Sequence, residues 1–115
     1  MAIAALDVVR RHLTFVRAQD SEGMAADYAE AAVLRRPGAE FFGQPAIASY
    51  FGTVADRLGG GSVAFEDPVA QPDSTLVVRW SIQGGPGSGT RGVDTYVVHG
   101  AKIVEQTVVI LGPDF

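Results

Sequence analysis

Apolar residues at Ile3, Leu6, Val9, Leu13 and Val16 recur at intervals of three and four, the spacing that lines one side of an α-helix, and predict a first helix from Ile3 to about Ala18. Asp20 or Ser21 then caps a shorter second helix, which carries Met24 and Tyr28 one turn apart and runs out near Glu30. From Ala32 to Arg36 the pattern is that of a strand. Pro37-Gly38 is a turn signal, and the chain returns through Glu40, Phe41 and Phe42 as a short hairpin. Pro45 suits the first turn of a third helix, with Ile47, Tyr50, Phe51, Val54 and Leu58 on its buried side and Gly59 to Gly61 ending it. Beyond it the period falls to two. Strands are expected at Val63 to Phe65 with an extension to about Ala70, at Thr75 to Gln83, at Thr90 to Val98 and at Ile103 to Leu111, with a Gln71-Pro72-Asp73-Ser74 turn and a glycine-rich hairpin between them.

Helices gathered first and a long antiparallel meander after them predict an α+β fold, three helices packed in the concave face of a curved sheet. At 115 residues, 47% hydrophobic and 9% aromatic, the chain is expected to form one domain over 1–115. Thirteen acidic and nine basic residues give a formal charge of −4, and the Lys and Arg are scattered, so no positive surface awaits nucleic acid. No apolar run approaches the roughly 20 residues of a membrane helix. A cytoplasmic protein is expected. Cysteine is absent, the two histidines His12 and His99 lie outside any metal-binding spacing, and the glycine clusters do not sit between a strand and a following helix, so neither metal nor cofactor is expected.

Alternation sorts the last strands onto two faces. One face carries Gly92, Asp94, Tyr96 and Val98, with Val104, Gln106, Val108 and Ile110 beside it and Leu76, Val78, Trp80 and Ile82 on the other flank. In a curled sheet these residues line a cone whose few polar groups are Asp94 and Gln106, the usual form of a small-molecule site. Asp is depleted in strands, so Asp94 between Val93 and Tyr96 is either solvated or functional. The opposite face offers Val77, Val93, Val97 and Val109, apolar enough for a partner surface.

The run RGVDTYVVHGAKIVEQTVV from Arg91 to Val109 resembles the C-terminal hairpin of SnoaL-like proteins, in the residues Gly92, Val93, Asp94, Tyr96, Lys102, Ile103, Val104 and Glu105. MAADYAEAAVL, ending at Leu34, and FGQPAIASYF, Phe42 to Phe51, extend the resemblance to the nuclear transport factor 2-like superfamily, which includes ketosteroid isomerase and the SnoaL-type polyketide cyclases. It implies a small apolar ligand and a homodimer through the outer sheet face. It also implies a role for Asp94, which matches an Asp that the isomerase keeps protonated in an apolar site, as donor to a developing oxyanion.

Other positions depart from these relatives. Arg36 precedes Pro37 where the isomerase has its Asp base, and a guanidinium stays protonated. His12 stands on the first helix where the isomerase has an oxyanion-hole tyrosine, and Glu105-Gln106-Thr107-Val108 replaces the cyclases' Glu-His-Trp-Asp. Arg91 lies on the opposite strand face from Asp94, unlike the bridging Arg of epoxide hydrolases. His12 is either a boundary residue or, if it points into the cone, a base or donor paired with Asp94. Arg36 either holds an anionic ligand group or extends to solvent. The expected site is thus Asp94 and His12 as acid–base groups, with Trp80, Tyr96, Gln106, Val108, Arg36, Tyr28 and Val78 around the ligand. A non-catalytic module that binds through its outer face is the alternative.

Overall fold

The computed structural model describes residues 4–112, so Ile3 lies outside the described residues. Helix α1 spans Ala5–Arg17, α2 Ser21–Ala26 and α3 Gln44–Leu58. The strands are β1 Tyr28–Arg36, β2 Ala39–Phe42, β3 Ser62–Phe65, β4 Val69–Gln71, β5 Thr75–Gln83, β6 Arg91–His99 and β7 Lys102–Leu111. They form one seven-stranded sheet in the order β2-β1-β7-β6-β5-β3, with β4 also paired to β5. Every pairing is antiparallel except β1 with β7.

The sheet curls around the helices, and its irregularities account for the curl. On β7, Glu105 pairs with Val97 while Ile103 pairs with Val98, so Val104 is an extra residue on its strand. A bulge of this kind bends the strand and increases its twist. It also changes which side chains face inward: Ile103, fully buried, takes the core position expected for Val104.

Tyr28 is not in the second helix. The chain leaves α2 at Asp27, whose backbone carbonyl accepts from Ile103 N at 2.8 Å, and Tyr28 opens β1 opposite Ile103. Ala and Glu in this stretch favour helix, but pairing with β7 overrides that weak preference. The expected strand through Ala70 is likewise cut in two, because Pro68 has no N–H to give the ladder. The remaining elements lie within a residue or two of expectation.

Helix α1 buries Val8, Val9, His12 and Leu13 and lies against β3, β5, β6 and β7. Its stripe meets Leu34, Ile47, Leu76, Val78, Tyr96 and Ile103 in the main core. Gln44, at the start of α3, donates to the carbonyls of Ala25 and Tyr28 at 2.8 and 3.2 Å and ties α3 to the junction of α2 and β1. Trp80 and Ile82 pack with Leu58 in a second, smaller cluster.

Candidate functional site

Strand alternation on β6 turns Gly92, Asp94, Tyr96 and Val98 inward, and all of them are buried. Asp94 has Val78 opposite it on β5 and Val108 on β7, so its carboxylate stands between apolar neighbours. Three donors reach it. Trp80 Nε1 donates to Oδ1 at 2.8 Å, Gln106 Nε2 to Oδ2 at 3.0 Å and the Tyr96 hydroxyl to Oδ2 at 3.3 Å. Gly92, paired with Trp80, is what lets the indole lie in place: a Cβ there would sit 2.1 Å from the ring. Burial pushes the Asp94 pKa up to about 6, with the three donors holding it below where burial alone would take it.

The polar cluster continues inward. The Tyr28 hydroxyl donates to Gln106 Oε1 and meets His12 Nε2 at 3.3 Å. Burial, then the negative charge of Asp94, raises the Tyr28 and Tyr96 pKa values well above the usual phenol range, so both stay neutral. His12 is fully buried, edge-on to Tyr28, Phe51 and Tyr96. Its Nδ1 faces Asp27 Oδ2 at 3.8 Å, and neither atom has a hydrogen-bond partner among the described residues. Arg11 clasps the other oxygen of Asp27, with Nε and Nη2 each 2.8 Å from Oδ1. Burial lowers the His12 pKa against the pull of Asp27. For Asp27, burial works upward, but the contacts with His12 and Arg11 outweigh it and its pKa falls.

A cavity of about 70 Å³ lies on the other side of Asp94, walled by Phe51, Val54, Val63 and Ile110 among others. Asp94, Gln106, Trp80, Val108 and Arg36 all line it. Arg36 Nη1 donates to the Tyr50 hydroxyl at 3.3 Å beside the cavity. Four of the expected residues do not line it. Val78 has no exposure and is core under the helices, Tyr28 and Tyr96 stand in the hydrogen-bonded layer behind Asp94, and His12 lies beyond them. His12 and Asp94 therefore do not pair directly. They are joined through Tyr28 and Gln106, because His12 sits in the middle of the buried stripe of α1 rather than at its margin.

The sequence gives no site role to Asp27 or Arg11, and it places Tyr50 only on the buried side of α3 and Gly92 only on the face and in the motif of Asp94. Asp27 directly precedes Tyr28 in a stretch whose sequence reads as helix, so no strand signal marks it. Among the described residues, no three His, Asp or Glu side chains are grouped to hold a metal ion.

The model of the SnoaL-like domain matches residues 9–106, a span that contains Arg11, His12, Asp27, Tyr28, Trp80, Asp94, Tyr96 and Gln106. The chain belongs to the SnoaL-like family. No curated protein sequence matches this SnoaL-like chain. Among solved structures, a nuclear transport factor 2-like protein of unknown function from Mesorhizobium loti is 22% identical, with a TM-score of 0.81 over 94% of this chain and 91% of that one. A protein from Sinorhizobium meliloti, proposed to be a polyketide cyclase, is 19% identical, with a TM-score of 0.77 over 90% of this chain and 94% of that one. TerC, co-crystallised with polyporic acid, is 17% identical, with a TM-score of 0.78 over 93% and 91%. At these identities the likeness establishes the cystatin-like α+β fold.

Proposed function

We propose that this SnoaL-like domain binds a small apolar molecule by a carbonyl or ring-oxygen edge in the cavity beside Asp94, and that Asp94 acts on it as an acid–base group in a cyclase- or isomerase-type reaction. The observation that carries this reading is a carboxyl, 6% exposed, on the wall of an apolar cavity with its pKa raised to about 6. A pKa near neutrality suits a group that must both give and take a proton. In its protonated form Asp94 donates to the ligand oxygen as electron density moves onto it. Once ionised, it is held by Trp80 and Gln106 until the proton returns. It is the one carboxylate among the described residues that line the cavity.

A drug-sized ligand needs roughly 300 Å³ or more, and about 70 Å³ admits only its functional edge. The body of the ligand then lies toward half-buried Arg36 and Tyr50, where the guanidinium can hold an anionic substituent. A structure of the same fold co-crystallised with polyporic acid supports a small-molecule role. The experiment is a thermal-shift screen of steroids, polyketide-like aromatics and fatty acids. At least one class is expected to raise the melting temperature of the wild type, quench or shift Trp80 emission, and lose most of its effect on Asp94→Asn. A screen in which no class does so overturns the reading.

A second reading, a dimeric module that works through the convex face, has its own observation. Val109 and Leu111 are 48% and 45% exposed there, and Val93, paired with Val109, continues the apolar patch. If a second copy covers this face, sedimentation shows a dimer for the wild type and a monomer for Val109→Glu. A monomeric wild type at every concentration removes this reading.

A further inference from the structure

A carboxamide presents its oxygen to one neighbour and its NH2 to another, and the protons on those neighbours decide which way round it lies. Gln106, buried, has Asp94 Oδ2 and the Tyr96 hydroxyl on one side, at 3.0 and 3.3 Å, and the Tyr28 hydroxyl on the other. Tyr28 has two neighbours, Gln106 and His12 Nε2, and one proton to give. Beyond the imidazole, His12 Nδ1 faces the Asp27 carboxylate, an acceptor, at 3.8 Å. The carboxylate favours a proton on Nδ1.

Under these constraints, two arrangements place a donor against an acceptor at every contact along the chain. In the first, Asp94 is ionised and accepts from the Gln106 NH2, Tyr28 donates to the Gln106 oxygen, and His12 Nε2–H donates to the Tyr28 oxygen, which makes His12 an imidazolium. In the second, Asp94 carries the proton and donates to the Gln106 oxygen. The amide is then turned over, its NH2 donates to the Tyr28 oxygen, Tyr28 donates to His12 Nε2, and His12 is neutral. Each arrangement holds one proton between Asp94 and His12. Moving from one to the other takes one proton from His12 and places one on Asp94, or the reverse, and turns the amide and the hydroxyl over to match. Any mismatch along the chain would sit among buried side chains, where it is costly.

We propose that Gln106, Tyr28 and His12 are positioning residues that tie the proton of Asp94 to that of His12, with the Gln106 amide as the reversible element. In the second arrangement Asp94 carries a proton that a ligand oxygen can take, and in the first it is ionised and can only accept one. The proposal rests on the reading of Asp94 as the ligand-facing group, although the linkage itself needs no ligand. The other charged or titratable groups that face the chain are Arg11 on α1, Asp27 after α2, Arg36 on β1, Tyr50 on α3 and Tyr96 on β6. Removing the Tyr28 hydroxyl leaves the fields of all of them in place.

Trp80 is the sole tryptophan and donates to Asp94 Oδ1, so its indole N–H signal, followed by NMR against pH, reports on Asp94. The imidazole signals of His12 are told from those of His99 by their loss in His12→Gln. Tyr28→Phe is expected to move the Trp80 midpoint by at least about half a pH unit and to separate it from the His12 titration. Asp94→Asn, which mimics the protonated acid, is expected to keep His12 neutral where the wild type titrates, and Tyr28→Phe in that background to release it. Gln106→Met breaks the chain at its middle and serves the same purpose should Tyr28→Phe not fold. An unchanged Trp80 midpoint in the chain-breaking variant, or an equal effect of Asp94→Asn on His12 with and without the Tyr28 hydroxyl, overturns the linkage. Because no ligand is present, that failure is distinct from a failed ligand screen.

Discussion

At the scale of single residues, the site depends on a hydrogen as much as on its functional groups. Gly92 carries only hydrogen where a methyl would meet the Trp80 ring at 2.1 Å, so Gly92→Ala must push the indole off its bond to Asp94. Overpacking of this kind typically costs about 1–3 kcal/mol. The expected result is a lower melting temperature together with a changed Trp80 emission maximum, whereas an unchanged spectrum would mean that the indole is held by something else. Strand alternation grouped Asp94 with Tyr96 and Val98 on one face, but by itself left Asp94 either solvated or functional, and it was the resemblance to SnoaL-like proteins that favoured the inward side. The roles of Asp27 and Arg11 were not legible. Their partner, His12, is set by where α1 lands on the sheet, and no local pattern reports that distance.

Among the elements, the short helix α2 has the most leverage for its size. It delivers Asp27 at its C-terminal end, and its start is held by Asp20, whose Oδ1 accepts from Gly23 N at 2.9 Å. Losing such a cap typically costs about 1 kcal/mol. Asp20→Ala should therefore lower stability by about that amount in chemical denaturation and speed hydrogen exchange at Met24 and Ala25 ahead of the sheet. Uniform exchange across both would contradict a local role for the cap. The long periodic elements α1, α3, β5 and β6 could be placed from sequence, since each repeats its period over several turns or pairs. The start of β1 could not, because its parallel partner β7 lies some seventy residues further on and outweighs the helical preference of the Ala- and Glu-rich stretch. The bulge at Val104 escaped for the same reason: a single extra residue in a strand leaves no mark on alternation until its partner is known.

For the whole molecule, a buried acid is a charge on the stability balance. The folded pKa of Asp94, about 6, lies above the ordinary 3.8. Between those two values the folded protein keeps a proton that the unfolded chain has lost, so this group's contribution to stability falls as pH rises through the window and is flat above it. The shift corresponds to about 3 kcal/mol. The stability of Asp94→Asn relative to the wild type should thus grow with pH up to about 6, and a constant difference across the window would argue for a solvated carboxylate. No helix among the described residues is long and apolar enough to cross a membrane, and the curled sheet gathers its polar groups around this one carboxyl. The most direct test of that arrangement is the 13C signal of the Asp94 carboxyl followed against pH and assigned by its loss in Asp94→Asn. A midpoint near 6 is the result expected of an acid enclosed by Trp80, Tyr96 and Gln106. A midpoint at the ordinary 3.8 would contradict the account.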